Sequence, residues 1–289
     1  MAIFIRRSYA MGREYRNGNR RINPSMKTKK VNVPLMSDLF SRGETVEYLF
    51  WVGCAGAFDD RYKKVAAALA RILTYLDVSY AVLGKEETCT GDPARRAGNE
   101  MVYQMQALQN IETFKAYDIK KVITICPHCY NIFKNEYPDL GADFEVISYV
   151  SFLSDMLKSG RLKLSSNALK DKVITYHDPC YLGRANKIYE EPRMLLGAMS
   201  QGLKEMKRNK SFALCCGAGG GQMFKEAEKG DKEIFIERTE EALETGANII
   251  ATACPFCMTM ITDGLKYKNR EEEIENLDIC ELIVRSLKI

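Results

Sequence analysis

Leu214-Cys215-Cys216-Gly217-Ala218-Gly219-Gly220-Gly221 is the stretch on which the reading of this chain turns. Adjacent cysteines project their sulfurs in divergent directions and are poorly placed to join each other, yet the two can reach different irons of one polynuclear cluster. Cys180 lies upstream and Cys254-Pro255-Phe256-Cys257 downstream, so five thiols are candidates for one site. Four ligands fill a mononuclear zinc site, which leaves a fifth surplus. The glycines remove side chains where backbone must pass close to a bulky inorganic core, and they lend N–H groups to its sulfides. The expectation is an iron-sulfur site held by Cys180, Cys215, Cys216, Cys254 and Cys257.

The arrangement occurs twice. Cys54, Cys89, Cys126 and Cys129 precede Cys180, Cys215, Cys254 and Cys257 by 126, 126, 128 and 128 residues. The apolar runs ahead of the paired cysteines also correspond, Lys121-Val-Ile-Thr-Ile125 with Asn248-Ile-Ile-Ala-Thr252. A chain that repeats itself at this interval is an internal duplication. Nine of its ten cysteines fall inside the pattern, leaving Cys280, which reads as core packing on an apolar helix face. Thr90 stands where the second repeat has Cys216, so the first set is four thiols. Four thiolates suit tetrahedral zinc as well as a cubane cluster, and both stay open for that site.

A cysteine, about 35 residues, Cys-Cys-Gly, a similar interval and then Cys-Pro-x-Cys resembles the cysteine-rich domain of the heterodisulfide reductase family, usually present in two copies per chain. Glu86-Glu-Thr-Cys-Thr-Gly-Asp-Pro-Ala-Arg-Arg96 and Tyr176-His-Asp-Pro-Cys-Tyr-Leu-Gly183 resemble most the D-subunit-like branch of iron-sulfur oxidoreductases. The resemblance spans roughly residues 46–287. It implies a [4Fe-4S] centre of non-cubane type in the second repeat, and a second [4Fe-4S] cluster or zinc in the first. It also implies a subunit of a multi-component oxidoreductase that serves disulfide reduction or electron transfer. The alternative it leaves open is a non-catalytic relay or quinone-linked subunit of a flavoprotein dehydrogenase complex.

Composition narrows the setting. The length of 289 residues allows about two domains, and 46% hydrophobic residues suffice for a buried core. Neither a long uninterrupted apolar run nor a secretory leader is recognisable, and ten cysteines in a chain of this size fit a reducing compartment. The expectation is a cytoplasmic protein that reaches a membrane, if at all, through partner subunits. Residues 1–30 hold nine Lys and Arg against Glu14 alone, whereas the whole chain carries only +4. Such an arm reads as an extension lying on a partner or as a solvated tail, and nucleic acid is not the expected partner. No C-x2-C-x2-C-x3-C-P run is present, so electrons are expected from a ferredoxin-type iron-sulfur subunit, a flavoprotein subunit or both.

Along the chain, apolar strand-length runs alternate with helical spacing, predicting an α/β fold of two pseudo-symmetric Rossmann-like βα modules with parallel sheets flanked by helices. The predicted division is a basic extension at 1–45, a first repeat at 46–160 and a second at 161–289, with polar Arg161 to Asp171 as the linker. Order is expected from Val46 onward. Asp92 is expected to cap a helix with Pro93 at its first position, and Glu271 to Glu275 is read as a solvated charge run.

His128 and His177 are the only histidines, and both lie close to the cysteine pattern. Each is a candidate proton donor to a thiolate product, or more simply a hydrogen-bond partner of a cluster sulfide or a carbonyl. Isolated Cys-Pro-x-Cys pairs would suit dithiol redox chemistry, but the partner cysteines in each repeat argue against it. Gly217 to Gly221 lacks the spacing and context of a nucleotide-binding loop. Arg95 and Arg96 read as a surface pair, with steering of an anionic substrate or partner as the functional alternative.

Overall fold

A computed structural model describes residues 31, 33–165, 168–226 and 230–289, and the basic segment 1–30 lies outside the described residues. Strands β1 (Tyr48–Trp51), β2 (Tyr80–Ala81), β3 (Lys121–Thr124) and β4 (Glu145–Ser148) form one sheet in the order β2-β1-β3-β4. Strands β5 (Ile174–Tyr176), β6 (Leu203–Lys204), β7 (Ile249–Thr252) and β8 (Glu275–Asp278) form a second in the matching order β6-β5-β7-β8. Every pairing is parallel, with Leu49 opposite Val122 and Ile174 opposite Ile249. The predicted α/β duplication is therefore the fold.

Helices cover both sheets. In the first repeat they are α1 (Met36–Ser41), α2 (Gly53–Phe58), α3 (Tyr62–Tyr75), α4 (Asp92–Arg96), α5 (Glu100–Ala116), α6 (Pro127–Asn135) and α7 (Tyr149–Lys158). In the second they are α8 (Glu190–Met199), α9 (Ile234–Glu244), α10 (Pro255–Tyr267) and α11 (Ile279–Leu287). A parallel sheet covered on both faces needs apolar residues in both directions, and β1 shows how they divide. Phe50 enters a core shared with the second repeat, while Leu49 and Trp51 enter a separate core beneath α5 and α6. There the Trp51 ring meets Phe114 and Phe133 edge-on, with centroids 5.6 and 5.0 Å apart.

The repeats exchange helices. Helix α3 packs on α11 and α7 on α8, so each repeat offers the helix after its first strand to the last helix of the other. Polar anchors reinforce the seam. Arg61 grips both carboxylate oxygens of Glu281 at 2.8 and 2.7 Å, and the Tyr149 hydroxyl lies 2.9 and 3.0 Å from the two oxygens of Asp278.

Several local expectations change. Helix α1 lies within the segment read as a basic extension, and Met36 and Leu39 are buried. Met36 donates to the Val82 carbonyl and Val82 to that of Pro34, extending a short edge strand that would otherwise end in unpaired backbone. Order thus begins before Val46. The connection read as a linker contributes Leu162 and Leu169 to the shared core. Asp92 makes no cap. It is the first residue of α4, which follows Gly91 in the left-handed region (φ +86°), and its carboxylate is engaged elsewhere. Strand β8 begins at Glu275, the end of the charge run, and is too polar to be recognised by periodicity.

Asp278 gives the seam a pH dependence. Burial raises its pKa from the ordinary 3.8 to about 7, against the Cys280 N–H and the Tyr149 hydroxyl, which favour the carboxylate. The folded protein then holds this proton more tightly than the unfolded chain. Its contribution to stability is fully present below about pH 4 and is lost as pH rises through about 7, by about 4 kcal/mol at most. Asp278→Asn is expected to flatten that fall, read as a smaller difference between urea midpoints at acidic and alkaline pH. An unchanged slope would show that the carboxylate is ionised throughout.

Candidate metal centres

The chain leaves β1 toward β2 on one side and returns to β3 on the other, so the carboxyl ends of β1 and β3 open at a topological switch point, where α/β folds place their sites. Cys54 follows β1, Cys89 follows β2 and Cys126 follows β3. The second repeat places Cys180, Cys215 and Cys254 after β5, β6 and β7 in the same way. Cys126 and Cys254 sit at the N-caps of α6 and α10, each with proline in the first turn, where helix dipoles favour thiolates.

In the second repeat the thiols form a continuous chain of contacts, Cys180 with Cys215, Cys215 with Cys216, Cys216 with Cys257, and Cys257 with Cys254. Hydrogen bonds from Cys180 and Cys216 hold Cys215 far below the ordinary thiol range, helped by the Gly217 N–H at 3.3 Å from its sulfur. In the first repeat Cys54 contacts Cys89, and Cys126 contacts Cys129. The Cys54 hydrogen bond lowers Cys89 to about 7, again with a glycine N–H, that of Gly91, at 3.4 Å. The two glycines are 126 residues apart and share a positive φ, +86° and +92°, that turns each N–H toward sulfur. Thr90, in place of Cys216, points its hydroxyl at the Cys129 sulfur from 3.9 Å.

Both histidines reach the thiols. His128 contacts Asp92 through Nδ1 at 2.9 Å and hydrogen-bonds Cys254 of the other repeat. Burial alone would depress its pKa, but Asp92 and Cys254 outweigh it and raise it to about 10. Burial works against a Cys254 thiolate, yet the hydrogen bonds of Cys257 and His128 bring that thiol down to about 5. The His128 ring packs between Tyr181 and Phe256, each centroid at 4.5 Å, and Phe256 is its own counterpart in the duplication. The two thiol sets therefore meet across this ring contact. His177 is buried, with a ring nitrogen and the sulfurs of Cys216 and Cys257 all within 4.8 Å of one another. Arg238 donates to its Nδ1 at 2.9 Å, while burial and then the Arg238 charge drive its pKa well below the ordinary value.

Residues 48–134 and 174–262 each match the family model described as a cysteine-rich domain, CCG. The chain belongs to this cysteine-rich domain family. It is 42% identical over 258 residues to the probable iron-sulfur-binding oxidoreductase FadF of Bacillus subtilis (strain 168), covering 89% of this chain and 36% of the relative. It is 44% identical over 252 residues to the EtfAB:quinone oxidoreductase of Syntrophomonas wolfei, covering 85% and 35%. A third relative, one of the subunits of the dihydromethanophenazine:CoB–CoM heterodisulfide reductase of Methanosarcina barkeri, is 34% identical over 277 residues, covering 92% and 65%. The chain thus spans little more than a third of the first two relatives. Among the described residues no helix is long and apolar enough to cross a membrane.

The second-repeat donor set fits polynuclear iron, and the four thiols of the first fit a cubane cluster or zinc. All nine thiols gather at the two switch points, and the bonds among the second-repeat thiols show sulfurs crowded beyond what separate free cysteines require. Cys280 is buried in the shared core, as its apolar helix face implied. The sequence reading missed the groups that fix the histidines, Asp92 and Arg238, because their partners lie 36 and 61 residues away. Arg95 and Arg96 both clasp Glu136, which ties α4 to the end of α6 and makes them structural.

Proposed function

We propose that this chain is the electron-carrying iron-sulfur part of a multi-component oxidoreductase, with one centre in each repeat. Cys180, Cys215, Cys216, Cys254 and Cys257 hold a non-cubane [4Fe-4S] centre, and Cys54, Cys89, Cys126 and Cys129 hold a second [4Fe-4S] centre. The observation that carries this reading is the meeting of the two thiol sets through His128, which belongs to the first set and hydrogen-bonds Cys254 of the second. Iron-sulfur centres supply one-electron transfer when bound. The residues between them keep the path short, since the His128, Tyr181 and Phe256 rings pack against one another. The same packing supports a relay over a chamber built to bind a large disulfide substrate.

Electrons come from a flavoprotein or ferredoxin-type partner and leave for a quinone-linked or similar acceptor, a quinone being the acceptor in the name of the Syntrophomonas wolfei relative. Disulfide reduction, as in the heterodisulfide reductases, is the second reading, favoured by His128: an imidazole raised to about 10 beside the thiols holds a proton for a released thiolate. Anaerobic purification with iron, sulfide and zinc analysis tests the proposal. About eight irons per chain are expected for two such centres, about four with one zinc would assign zinc to the first repeat, and absence of iron would overturn the proposal.

A further inference from the structure

Trp51 and His177 are 126 residues apart, the same interval that relates Cys54 to Cys180 and Cys89 to Cys215. Trp51 ends β1 and His177 directly follows β5, so the duplication places them at equivalent points. Their exposures are 0% and 1%. Each carries one buried ring nitrogen, Trp51 Nε1 and His177 Nε2, without a hydrogen-bond partner among the described residues. Leaving such a group unpaired costs about 1–3 kcal/mol, so finding it at both equivalent positions calls for an acceptor.

Both rings border the last cysteine of their Cys-Pro-x-Cys pair. A methyl on Gly53 would stand 3.5 Å from the Cys129 sulfur and 3.9 Å from Trp51 Nε1, so these two atoms edge the same gap. On the other side, His177 shares its 4.8 Å neighbourhood with Cys257, the equivalent of Cys129, and with Cys216. The proton on the imidazole is located by its other partner. A guanidinium can only donate, so Arg238 Nε obliges His177 Nδ1 to accept and leaves the N–H on Nε2. Arg238 is itself held by Glu241 at 3.0 Å. An indole nitrogen is a donor in any case.

We propose that Trp51 and His177 are equivalent positioning residues, each donating one N–H hydrogen bond to the sulfurs of its own centre and raising that centre's reduction potential. The inference rests on the iron-sulfur reading of the two thiol sets. Hydrogen bonds to cluster sulfurs withdraw negative charge and so favour the reduced form, one of the protein's means of setting a potential. Exchange of indole for imidazole at equivalent points, together with Thr90 for Cys216, makes the two centres electronically unlike.

The test is an EPR-monitored redox titration of the anaerobically purified chain and of Trp51→Phe, His177→Phe and His177→Gln. Trp51→Phe is expected to lower the first centre's potential alone, with about a tenfold shift in its one-electron equilibrium, or about 59 mV. His177→Phe is expected to do the same to the second centre alone. His177→Gln, which keeps an acceptor for Arg238 and an N–H for sulfur, is expected to restore it. Because Trp51 is the only tryptophan, labelling with 15N-tryptophan reads this contact without any substitution. A resolved 15N coupling on the paramagnetic first centre is expected. Unchanged potentials in both phenylalanine variants with iron and sulfide retained, or no 15N coupling, would overturn the inference while leaving the centres in place. Absence of iron and sulfide from the unmodified protein would instead overturn the reading beneath it.

Discussion

Cys216→Ser is expected to abolish or alter the oxidised-state paramagnetic signal of the second repeat while iron bound by the first is retained. Cys216 stands in the middle of the second thiol set, in contact with Cys215 on one side and Cys257 on the other, and is 4% exposed. Serine keeps the shape and replaces sulfur by a harder oxygen, a poorer partner for iron. The four remaining thiols then have the composition of the first set, where Thr90 already supplies a hydroxyl near the Cys129 sulfur. Cys89→Ser, Cys126→Ser and Cys129→Ser should each remove a different centre and leave the second-repeat spectrum largely intact. Identical signals from both repeats, equally sensitive at their Cys-Cys-Gly positions, would refute the asymmetry and favour disulfide cleavage between two like clusters.

The cysteine spacing made the duplication legible because a covalent interval survives whatever the intervening loops do. Strands β1, β3, β5 and β7 were equally legible, since each is central in its sheet and must be apolar on both faces. Edge strands obey a weaker rule. Leu203–Lys204 and Glu275–Asp278 pair on one side only, and their short polar composition does not announce them. Helix α5 was hidden differently. Its exposed face carries Met101, Met105 and Leu108 opposite buried Tyr103, Ala107 and Ile111, so apolar residues run around the helix instead of along one stripe.

At the candidate site, the sequence disclosed the thiols and the histidines beside them but not what orients them. Asp92 looked like a helix cap because aspartate before proline usually is one. Its true partner His128 is brought to it only when α4 packs on α6. One signal was read only in part. The repeat interval subtracted from Cys216 gives Thr90, and the same arithmetic applied to His177 gives Trp51, a second position beside the cysteines that changes between the repeats.

Arg193→Met should have the largest effect on stability. Asp178 and Arg193 are 3% and 9% exposed and joined by two parallel bonds of 2.8 and 2.9 Å. Arg193 also grips Glu205 at 2.6 and 2.8 Å and the Tyr189 carbonyl at 2.7 Å. Methionine fills much of the volume but leaves the Asp178 carboxylate with the Lys210 N–H as its remaining hydrogen bond. Stranding one member of a buried pair costs about 3–5 kcal/mol, which for a chain of this size lowers Tm by roughly 10 °C. Restoring neutrality with Asp178→Asn in the same chain should recover part of the loss, and the double-variant cycle separates the stranded charge from lost packing. Asp178 lies between His177 and Cys180, so the damage should reach iron retention in the second repeat first. The first repeat has Val52 at the equivalent position, which has no charge to pair. A Tm unchanged in Arg193→Met, or equal loss of iron from both repeats, would show that this pair does not position the second centre.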